Sequence, residues 1–172
     1  EAAEAGVDGL IVPDLPLEEA DGLEKVTRAA GLDLIYLLAP TSTDDRIAAT
    51  AKRARGFIYC VSVTGVTGAR DTLPPSIAPF LARIRQQTDV PLAVGFGVST
   101  PEQAGEVAAL ADGVIVGSAL IDRITRAARN GGDSVQAASE YMKSLRHGID
   151  QARGYSSRLA ADSVAKGVAT GQ

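Results

Sequence analysis

The sequence predicts an α/β fold of the (β/α)8 TIM barrel class, here an incomplete barrel. Apolar runs of strand length recur along the chain, segments with helical spacing separate them, and two consecutive runs end in glycine. This alternation is typical of parallel strands joined by crossover helices. Because a complete barrel takes about 250 residues and this chain has 172, we expect only part of one.

Five apolar runs bounded by turn residues are the predicted strands. They are continuously apolar rather than alternating, which is typical of parallel strands buried on both faces. The runs cover residues 9–12, 32–38, 57–61, 91–94 and 113–116. The third run contains Cys60, which we predict to be a small buried apolar side chain rather than a nucleophile.

The first predicted helix lies between the first two strands, over residues 17–30. Leu17, Ala20, Leu23 and Val26 recur at three-residue steps and are predicted to form its buried face. Acidic residues lie at its start and a basic residue near its end, an order that suits the helix dipole.

The next helices carry recognisable start signals. Thr43 and the two aspartates after it open the second helix, and Gly56 closes it. Thr100 is a predicted cap for the fourth, with Pro101 at the first helical position, where proline is tolerated. The third is predicted over residues 75–87, with its inward positions at Ile77, Phe80, Leu81 and Ile84.

The last part of the chain is predicted to hold helices over residues 119–128 and 134–146 and no further strand. The one histidine, His147, is predicted to face solvent. We expect the partial barrel to span residues 1–147. Residues 148–172 have few large apolar side chains, which predicts a C-terminal tail that is helical or loose.

The ends of the last two predicted strands carry the strongest functional signal. The fourth strand continues into Gly95 and Gly97, and the fifth continues into Gly117 and Ser118 before a helix. Glycine lets backbone N–H groups approach an anion closely, and a helix N-terminus favours negative charge. Two such ends in this order look like the phosphate site of a (β/α)8 barrel. The alternative is two ordinary strand-to-helix turns.

The composition of the chain argues against two classes of partner, nucleic acids and membranes. The net charge of −4 argues against a nucleic-acid surface, and no apolar run approaches the roughly 20 residues of a membrane span. A single cysteine suits a reducing compartment. Residues 1–6 resemble the last turn of a helix that ends at Gly6, so we expect the chain to be a fragment.

Several pieces, in order along the chain, resemble the tryptophan synthase alpha subunit family. The most specific is the loop Gly65-Val66-Thr67-Gly68, which follows a strand containing Tyr59, and the next is Asp14-Leu15-Pro16. Further matching pieces are Ala39-Pro40-Thr41-Ser42, Gly95-Phe96-Gly97 and Gly117-Ser118. The resemblance covers about residues 1–147. It makes the five predicted strands the fourth to eighth of that family's barrel.

The resemblance implies a lyase of tryptophan biosynthesis. Members of the family cleave indole-3-glycerol phosphate to indole and glyceraldehyde 3-phosphate by a retro-aldol reaction. They work in the cytoplasm, in a heterotetramer with a beta subunit that holds pyridoxal phosphate, and they use no cofactor or metal of their own. The implied partners of this chain are that substrate and a beta subunit.

The resemblance also assigns roles to residues that lie at the C-terminal ends of predicted strands, where barrel active sites form. The implied ligands of the substrate phosphate are Gly68, Gly97, Gly117 and Ser118. The implied indole pocket and closing loop consist of Tyr59, Thr67, Phe96, Leu37 and Ile11.

The family's acid/base residues are a glutamate and an aspartate from the second strand and the loop after it. Because the first strand here corresponds to the fourth, both would lie upstream of residue 1. We therefore predict no catalytic residue in the chain and no turnover by it alone. Asp14 lies at the end of the first predicted strand, but we expect it to cap the following helix or to tie down its own turn.

Two alternatives stay open at this point. One is another phosphate-binding TIM-barrel enzyme, an isomerase, epimerase or synthase, because such sites share the glycine pair. The other is a non-catalytic half-barrel that pairs with itself or with another chain, because missing strands leave open sheet edges.

Overall fold

A computed structural model of the chain describes residues 1–62, 74–95 and 97–168, with side-chain surroundings as far as residue 154. The strands are β1 (Gly9–Ile11), β2 (Asp33–Ile35), β3 (Leu37–Leu38), β4 (Ile58–Val61), β5 (Leu92–Gly95) and β6 (Gly113–Val114). The helices are α1 (Asp21–Ala29), α2 (Asp44–Arg53), α3 (Ile77–Arg85), α4 (Pro101–Ala108), α5 (Ser118–Arg129) and α6 (Ser134–Val168), with a short 3-10 helix at Leu17–Glu19. Within these described stretches, no helix combines the length and apolarity that a bilayer crossing requires.

The strand pairs among the described residues are all parallel and form a two-stranded sheet, β1-β2, and a four-stranded sheet in the order β3-β4-β5-β6. The chain pairs with β1 before Tyr36 and with β4 after it, so the single strand predicted over residues 32–38 is two short strands. The Tyr36 carbonyl between them accepts a hydrogen bond from the Tyr59 N–H at 2.9 Å. Parallel strands in sequential order form a singly wound barrel wall rather than a doubly wound open sheet.

One face of this wall packs under the helices. In β4, Ile58 and Cys60 are fully buried, whereas Tyr59 and Val61 are half-buried on the opposite, inner face. Cys60 is therefore a buried apolar side chain, as predicted. Burial raises the pKa of its thiol to about 12, which keeps it protonated and unreactive at neutral pH.

The first helix differs from its prediction in shape and in buried face. The 3-10 helix precedes α1, and Leu17 and Ala20 are buried, but Val26 is 65% exposed. Three-residue steps fall short of the 3.6-residue helical turn, so a stripe built from them rotates away from the core. Thr27 returns to the buried side and is only 3% exposed.

The start signals of α2 and α4 are confirmed. The Thr43 hydroxyl caps α2 by accepting a hydrogen bond from the Arg46 N–H at 3.3 Å. Thr100 caps α4 in a reciprocal capping box with Gln103, and Pro101 lies in the first turn. In α3 the predicted inward residues are all buried, namely Ile77, Phe80, Leu81 and Ile84.

The last helix, α6, runs without a break through residue 148, where the predicted tail begins. It crosses α4 closely, since a Cβ on Gly105 would meet the Gly148 carbonyl oxygen at 2.9 Å. The buried residues Tyr141 and Leu145 on the same helix join the main core. The first half of α6 therefore packs onto the barrel wall.

An ion cluster links α1, Tyr36 and α2 on the helix side of the wall. Glu24 Oε2 accepts hydrogen bonds from the Tyr36 hydroxyl and from Arg53 Nε, both at 2.7 Å. Burial acts to raise the pKa of Glu24, but these bonds and the Arg53 charge lower it overall. Burial and the Glu24 contact raise the pKa of Tyr36 to about 12. This cluster stabilises the wall from outside.

Candidate functional site

The C-terminal ends of β5 and β6 lie side by side, and both continue into glycine. Val94 lies opposite Val114 in the parallel register, and the Ile115 N–H donates to the Val94 carbonyl at 2.8 Å just beyond. Gly97 then follows β5, and Gly117 follows β6. The sheet therefore brings the turn after each strand to the same edge.

The turn after β5 requires glycine and is fixed just beyond it. Gly97 has a φ of 90°, in the left-handed region that favours glycine. Val98 is buried in the core. The N–H groups of Ser99 and Thr100 donate to Gln103 Oε1 at 2.8 and 3.2 Å. Gly97 is thus an exposed residue attached to a firmly held segment.

The turn after β6 opens α5, a helix of 12 residues. The N–H groups of Leu120 and Ile121 donate to the Gly117 carbonyl at 3.0 and 3.1 Å, so the first turn is formed. The N–H groups that precede them in a helix, those of Ser118 and Ala119, have no intrahelical acceptor. A Cβ on Gly117 would meet no described atom within 4 Å. This helix N-terminus offers amide donors and its positive dipole end to an anion.

Tyr59 and Leu37 share the inner face of the wall. They are direct partners in the register of β3 and β4. Tyr59 contacts Gly95 so closely that a Cβ on Gly95 would overlap the Tyr59 hydroxyl oxygen. Burial raises the pKa of that hydroxyl, so it is protonated at neutral pH. Gly95 therefore makes the room that Tyr59 occupies.

The remaining predicted pocket residues divide into two groups. Ile11 lies in β1 opposite Ile35, where it is 46% exposed, and so occupies the wall farther from β4. Thr67, Gly68 and Phe96 lie outside the described residues. Of the predicted pocket residues that the structure describes, Tyr59 and Leu37 are therefore neighbours, and Ile11 lies farther along the wall.

Of the two roles predicted for Asp14, a helix cap or a tie within its own turn, the helix cap is wrong. Pro16 occupies the cap position of the following 3-10 helix, which has no side-chain cap. The turn around Asp14 is closed by the backbone instead, with the Leu15 N–H donating to the Val12 carbonyl at 3.2 Å. Asp14 is exposed, and so is His147, as predicted.

The chemistry available at this rim is anion binding beside an apolar and aromatic surface. It combines backbone N–H donors and a helix dipole with the inner-face side chains of β3 and β4. Among the described residues, no group of three or more His, Cys, Asp or Glu side chains could hold a metal ion. The arrangement suits an organic phosphate with an apolar end.

Sequence reasoning missed the groups behind the rim. The Tyr141 hydroxyl of α6 donates to the Ser99 carbonyl at 3.0 Å, across 42 positions of sequence. Arg123 of α5 lies over the Tyr141 ring, with its Cζ 5.2 Å from the ring centroid. No local pattern joins residues this far apart. Gly95 was visible as a glycine at a strand end, but its contact with Tyr59 depends on strand register.

Comparison with known proteins gives a consistent result. The family model described as "Tryptophan synthase alpha chain" matches residues 1–150. The tryptophan synthase alpha chain of Chloroflexus aggregans is 53% identical over 145 residues, which are 84% of this chain and 54% of that protein. That of Synechococcus elongatus is 51% identical over 150 residues, which are 87% of this chain and 54% of that protein.

Solved structures agree. The crystal structure of tryptophan synthase subunit alpha from Legionella pneumophila matches with a TM-score of 0.76 and 41% identity, over 87% of this chain and 55% of that one. The Pyrococcus furiosus structure, described as the tryptophan synthase a2b2 complex, matches with a TM-score of 0.74 and 33% identity, over 85% of this chain and 58% of that one. The chain spans about half the length of the curated relatives it matches.

Proposed function

We propose a function from the premise that this chain belongs to the tryptophan synthase alpha chain family. Its fold is the corresponding part of that family's TIM barrel. Its residues bind indole-3-glycerol phosphate for the lyase reaction that releases indole and glyceraldehyde 3-phosphate. Family membership sets aside the alternative of a phosphate-binding isomerase, epimerase or synthase.

The observation that carries this proposal is the pair of glycine turns at one edge of β5 and β6. Gly97, Gly117 and Ser118 hold the substrate phosphate with backbone N–H groups, at the positive end of α5. The left-handed φ of Gly97 and the missing side chain of Gly117 allow the phosphate to approach the backbone closely. Gly68, outside the described residues, is the fourth proposed ligand.

The indole end of the substrate lies along the inner face of the wall. Tyr59 and Leu37 support this role because they are neighbours in register on that face. Phe96 and Ile11 complete the proposed pocket, and Thr67 belongs to the loop that closes over it. An apolar, aromatic surface is the environment in which an indole ring is stabilised by burial and stacking.

We assign no proton transfer to residues of this chain. Cleavage needs a proton delivered to the indole ring and a proton removed elsewhere, work for carboxylates held in place. The resemblance gives that work to a glutamate and an aspartate from the second strand of the family's barrel and the loop after it. Asp14 is an exposed turn residue and supplies neither role.

The proposed macromolecular partner is a tryptophan synthase beta subunit. A structure similar to this chain is described as an a2b2 complex, and we propose the same heterotetramer here. Pyridoxal phosphate belongs to the beta subunit, and this chain needs no cofactor of its own. The proposed compartment is the cytoplasm, where the tryptophan pathway supplies the substrate.

Binding of indole-3-glycerol phosphate to the 172-residue chain tests the proposal, with inorganic phosphate and indole as separate half-ligands. We expect the whole substrate to bind more tightly than either half, with no release of indole. The variant Gly117→Leu fills the space above the α5 N-terminus, so it is expected to weaken substrate and phosphate binding at least tenfold. Its affinity for indole is expected to stay unchanged. Isothermal titration calorimetry measures all three.

The matched control is Gly22→Leu in α1. There, too, a Cβ meets no described atom within 4 Å, but the position lies on a helix away from the rim. This variant should bind all three ligands like the wild type. Equal phosphate affinities for Gly117→Leu and Gly22→Leu, or clear indole release by the chain alone, would contradict the assignment.

A further inference from the structure

We propose that Tyr141 is a positioning residue for the phosphate site, because it joins the turn after β5 to the helix after β6. The inference rests on the proposed function, since it concerns the same site. Tyr141 belongs to α6. It contacts one element of each half of the site from behind.

The first contact fixes the turn after β5. The Tyr141 hydroxyl donates to the Ser99 carbonyl at 3.0 Å, and Tyr141 is only 6% exposed. The Ser99 N–H is held from the other side by Gln103 Oε1 at 2.8 Å. Both backbone polar groups of Ser99 are therefore bound by side chains. Since Ser99 follows Gly97 by two residues, this anchor limits where Gly97 can lie.

The second contact fixes α5. The Arg123 guanidinium lies over the Tyr141 ring, with its Cζ 5.2 Å from the centroid, a distance at which a cation and a ring attract. Arg123 lies on the same helix as Ser118, little more than one turn farther along. Burial raises the pKa of Tyr141 although the Arg123 charge lowers it, so the hydroxyl remains a donor at neutral pH.

These two contacts matter because the two turns come from different strands. A phosphate bound by both needs a fixed distance between Gly97 and the α5 N-terminus. Preorganised donors bind an anion better than donors that must be ordered at the moment of binding. Tyr141 contacts both the segment that follows Gly97 and the helix α5. It therefore sets the spacing between the Gly97 N–H and the N–H groups at the start of α5.

The experiment compares Tyr141→Phe with the matched control Tyr36→Phe, in the whole chain. Both variants remove only the hydroxyl of a buried tyrosine; Tyr141→Phe breaks the hydrogen bond to Ser99, and Tyr36→Phe breaks the contacts with Glu24 and Arg53. The dissociation constant of inorganic phosphate is measured by titration, and the melting temperature by circular dichroism. We expect Tyr141→Phe to weaken phosphate binding roughly fivefold, the scale of one net hydrogen bond. Tyr36→Phe should leave phosphate affinity unchanged while it lowers the melting temperature at least as much.

A second variant keeps the inference testable if Tyr141→Phe folds poorly. Arg123 is exposed, so Arg123→Gln preserves the fold while it removes the contact with the ring. The variant Arg123→Lys keeps the charge and a cation over the ring. We expect weaker phosphate binding for Arg123→Gln and near wild-type binding for Arg123→Lys.

The outcomes separate the two proposals. A wild-type protein that binds no phosphate would overturn the proposed function, and this inference with it. A wild type that binds phosphate, together with unchanged affinity in both Tyr141→Phe and Arg123→Gln, would overturn the positioning role alone. Equal weakening by Tyr141→Phe and Tyr36→Phe would do the same, because it would indicate a general effect of stability.

Discussion

The two ends of the β5–β6 strand pair are built in opposite ways. At the N-terminal end, the Asp112 carboxylate accepts a hydrogen bond from the Leu92 N–H at 2.8 Å and pairs with Arg85. Arg85 also donates to the Val90 carbonyl at 2.9 Å, and Arg153 of α6 donates to the Asp112 carbonyl at 2.9 Å. We call these contacts the Asp112 clasp. At the C-terminal end, glycine replaces side chains, and the first N–H groups of α5 have no intrahelical acceptor.

This difference separates the end of the strand pair that supports stability from the end at which we propose binding. At the N-terminal end, which we call the lower end, side chains that satisfy backbone groups hold the strands together. At the C-terminal end, which we call the upper end, the first N–H groups of α5 have no intrahelical acceptor, and we propose that they bind the phosphate. That division agrees with the general rule that barrels form active sites at the C-terminal ends of their strands and stabilise the opposite end. Changes at the two ends should therefore separate binding from folding.

The largest effect on phosphate affinity is expected from Ser118→Asp. This substitution places a carboxylate, the group that Asp112 supplies at the lower end, at the upper end. A carboxylate there occupies the helix N-terminus and repels phosphate, so affinity should fall at least about 100-fold. The same charge favours the helix dipole, so stability should rise by about 0.3–1 kcal/mol. Phosphate titration and denaturant unfolding measure the two effects.

The control for that change is Ser134→Asp at the first residue of α6. It adds the same charge to another helix N-terminus and should cause no large loss of phosphate affinity. Stability is not expected to rise, because Asp133 already caps this helix and the substitution removes the hydrogen bond that the Ser134 hydroxyl donates to the Ile124 carbonyl at 3.3 Å. Comparable loss of binding in the two variants would point to net charge rather than the α5 N-terminus.

A smaller effect is expected from Asp112→Ala, which should lower stability and leave phosphate affinity unchanged. The variant leaves the N–H of the fully buried Leu92 without its acceptor, which costs about 1–3 kcal/mol in the free energy of unfolding. Phosphate affinity should stay within about twofold, the precision of such a titration. The exposed ion pair of Asp150 with Arg146 provides the control, since Asp150→Ala should change stability far less. A large loss of phosphate binding in Asp112→Ala would break the proposed separation.

The smallest effect concerns pH. The Leu92 N–H lowers the pKa of Asp112, and the Arg85 contact adds to this although burial opposes it. A lowered pKa means that the carboxylate stabilises the folded state above its ordinary pKa of about 3.9, and that this contribution is lost as the pH falls through the lower, folded-state value. Asp112→Asn removes this group from titration. Its unfolding free energy should therefore fall less steeply below about pH 4 than that of the wild type. Parallel acid profiles would show that the clasp does not act through the ionised carboxylate.

Local signals in the sequence predicted the local structure well. Thr100 and Pro101 correctly predicted the start of α4, because a helix cap and a first-turn proline depend only on residues close in sequence. Ile77, Phe80, Leu81 and Ile84 form a true helical stripe and are buried. Val26 is exposed because its predicted stripe follows a three-residue period that a helix does not have.

Features that depend on tertiary pairing could not be predicted from the sequence. The change of pairing partner at Tyr36 splits one apolar run into two strands, and nothing in that run marks the place. The Gly95 and Tyr59 contact depends on the β4–β5 register, and the Tyr141 hydrogen bond to Ser99 spans 42 positions. The glycine turns of the site were predicted, because glycine at a strand end is a local signal. The residues that hold them in place were not.

The most direct test of the account is a two-dimensional amide NMR titration of the labelled protein with inorganic phosphate. We expect the Gly97, Gly117 and Ser118 amide signals to shift together and to saturate with one dissociation constant, while the Leu92 amide at the N-terminal end of β5 does not shift. Saturable shifts confined to other parts of the chain, with these three amides unchanged, would contradict it.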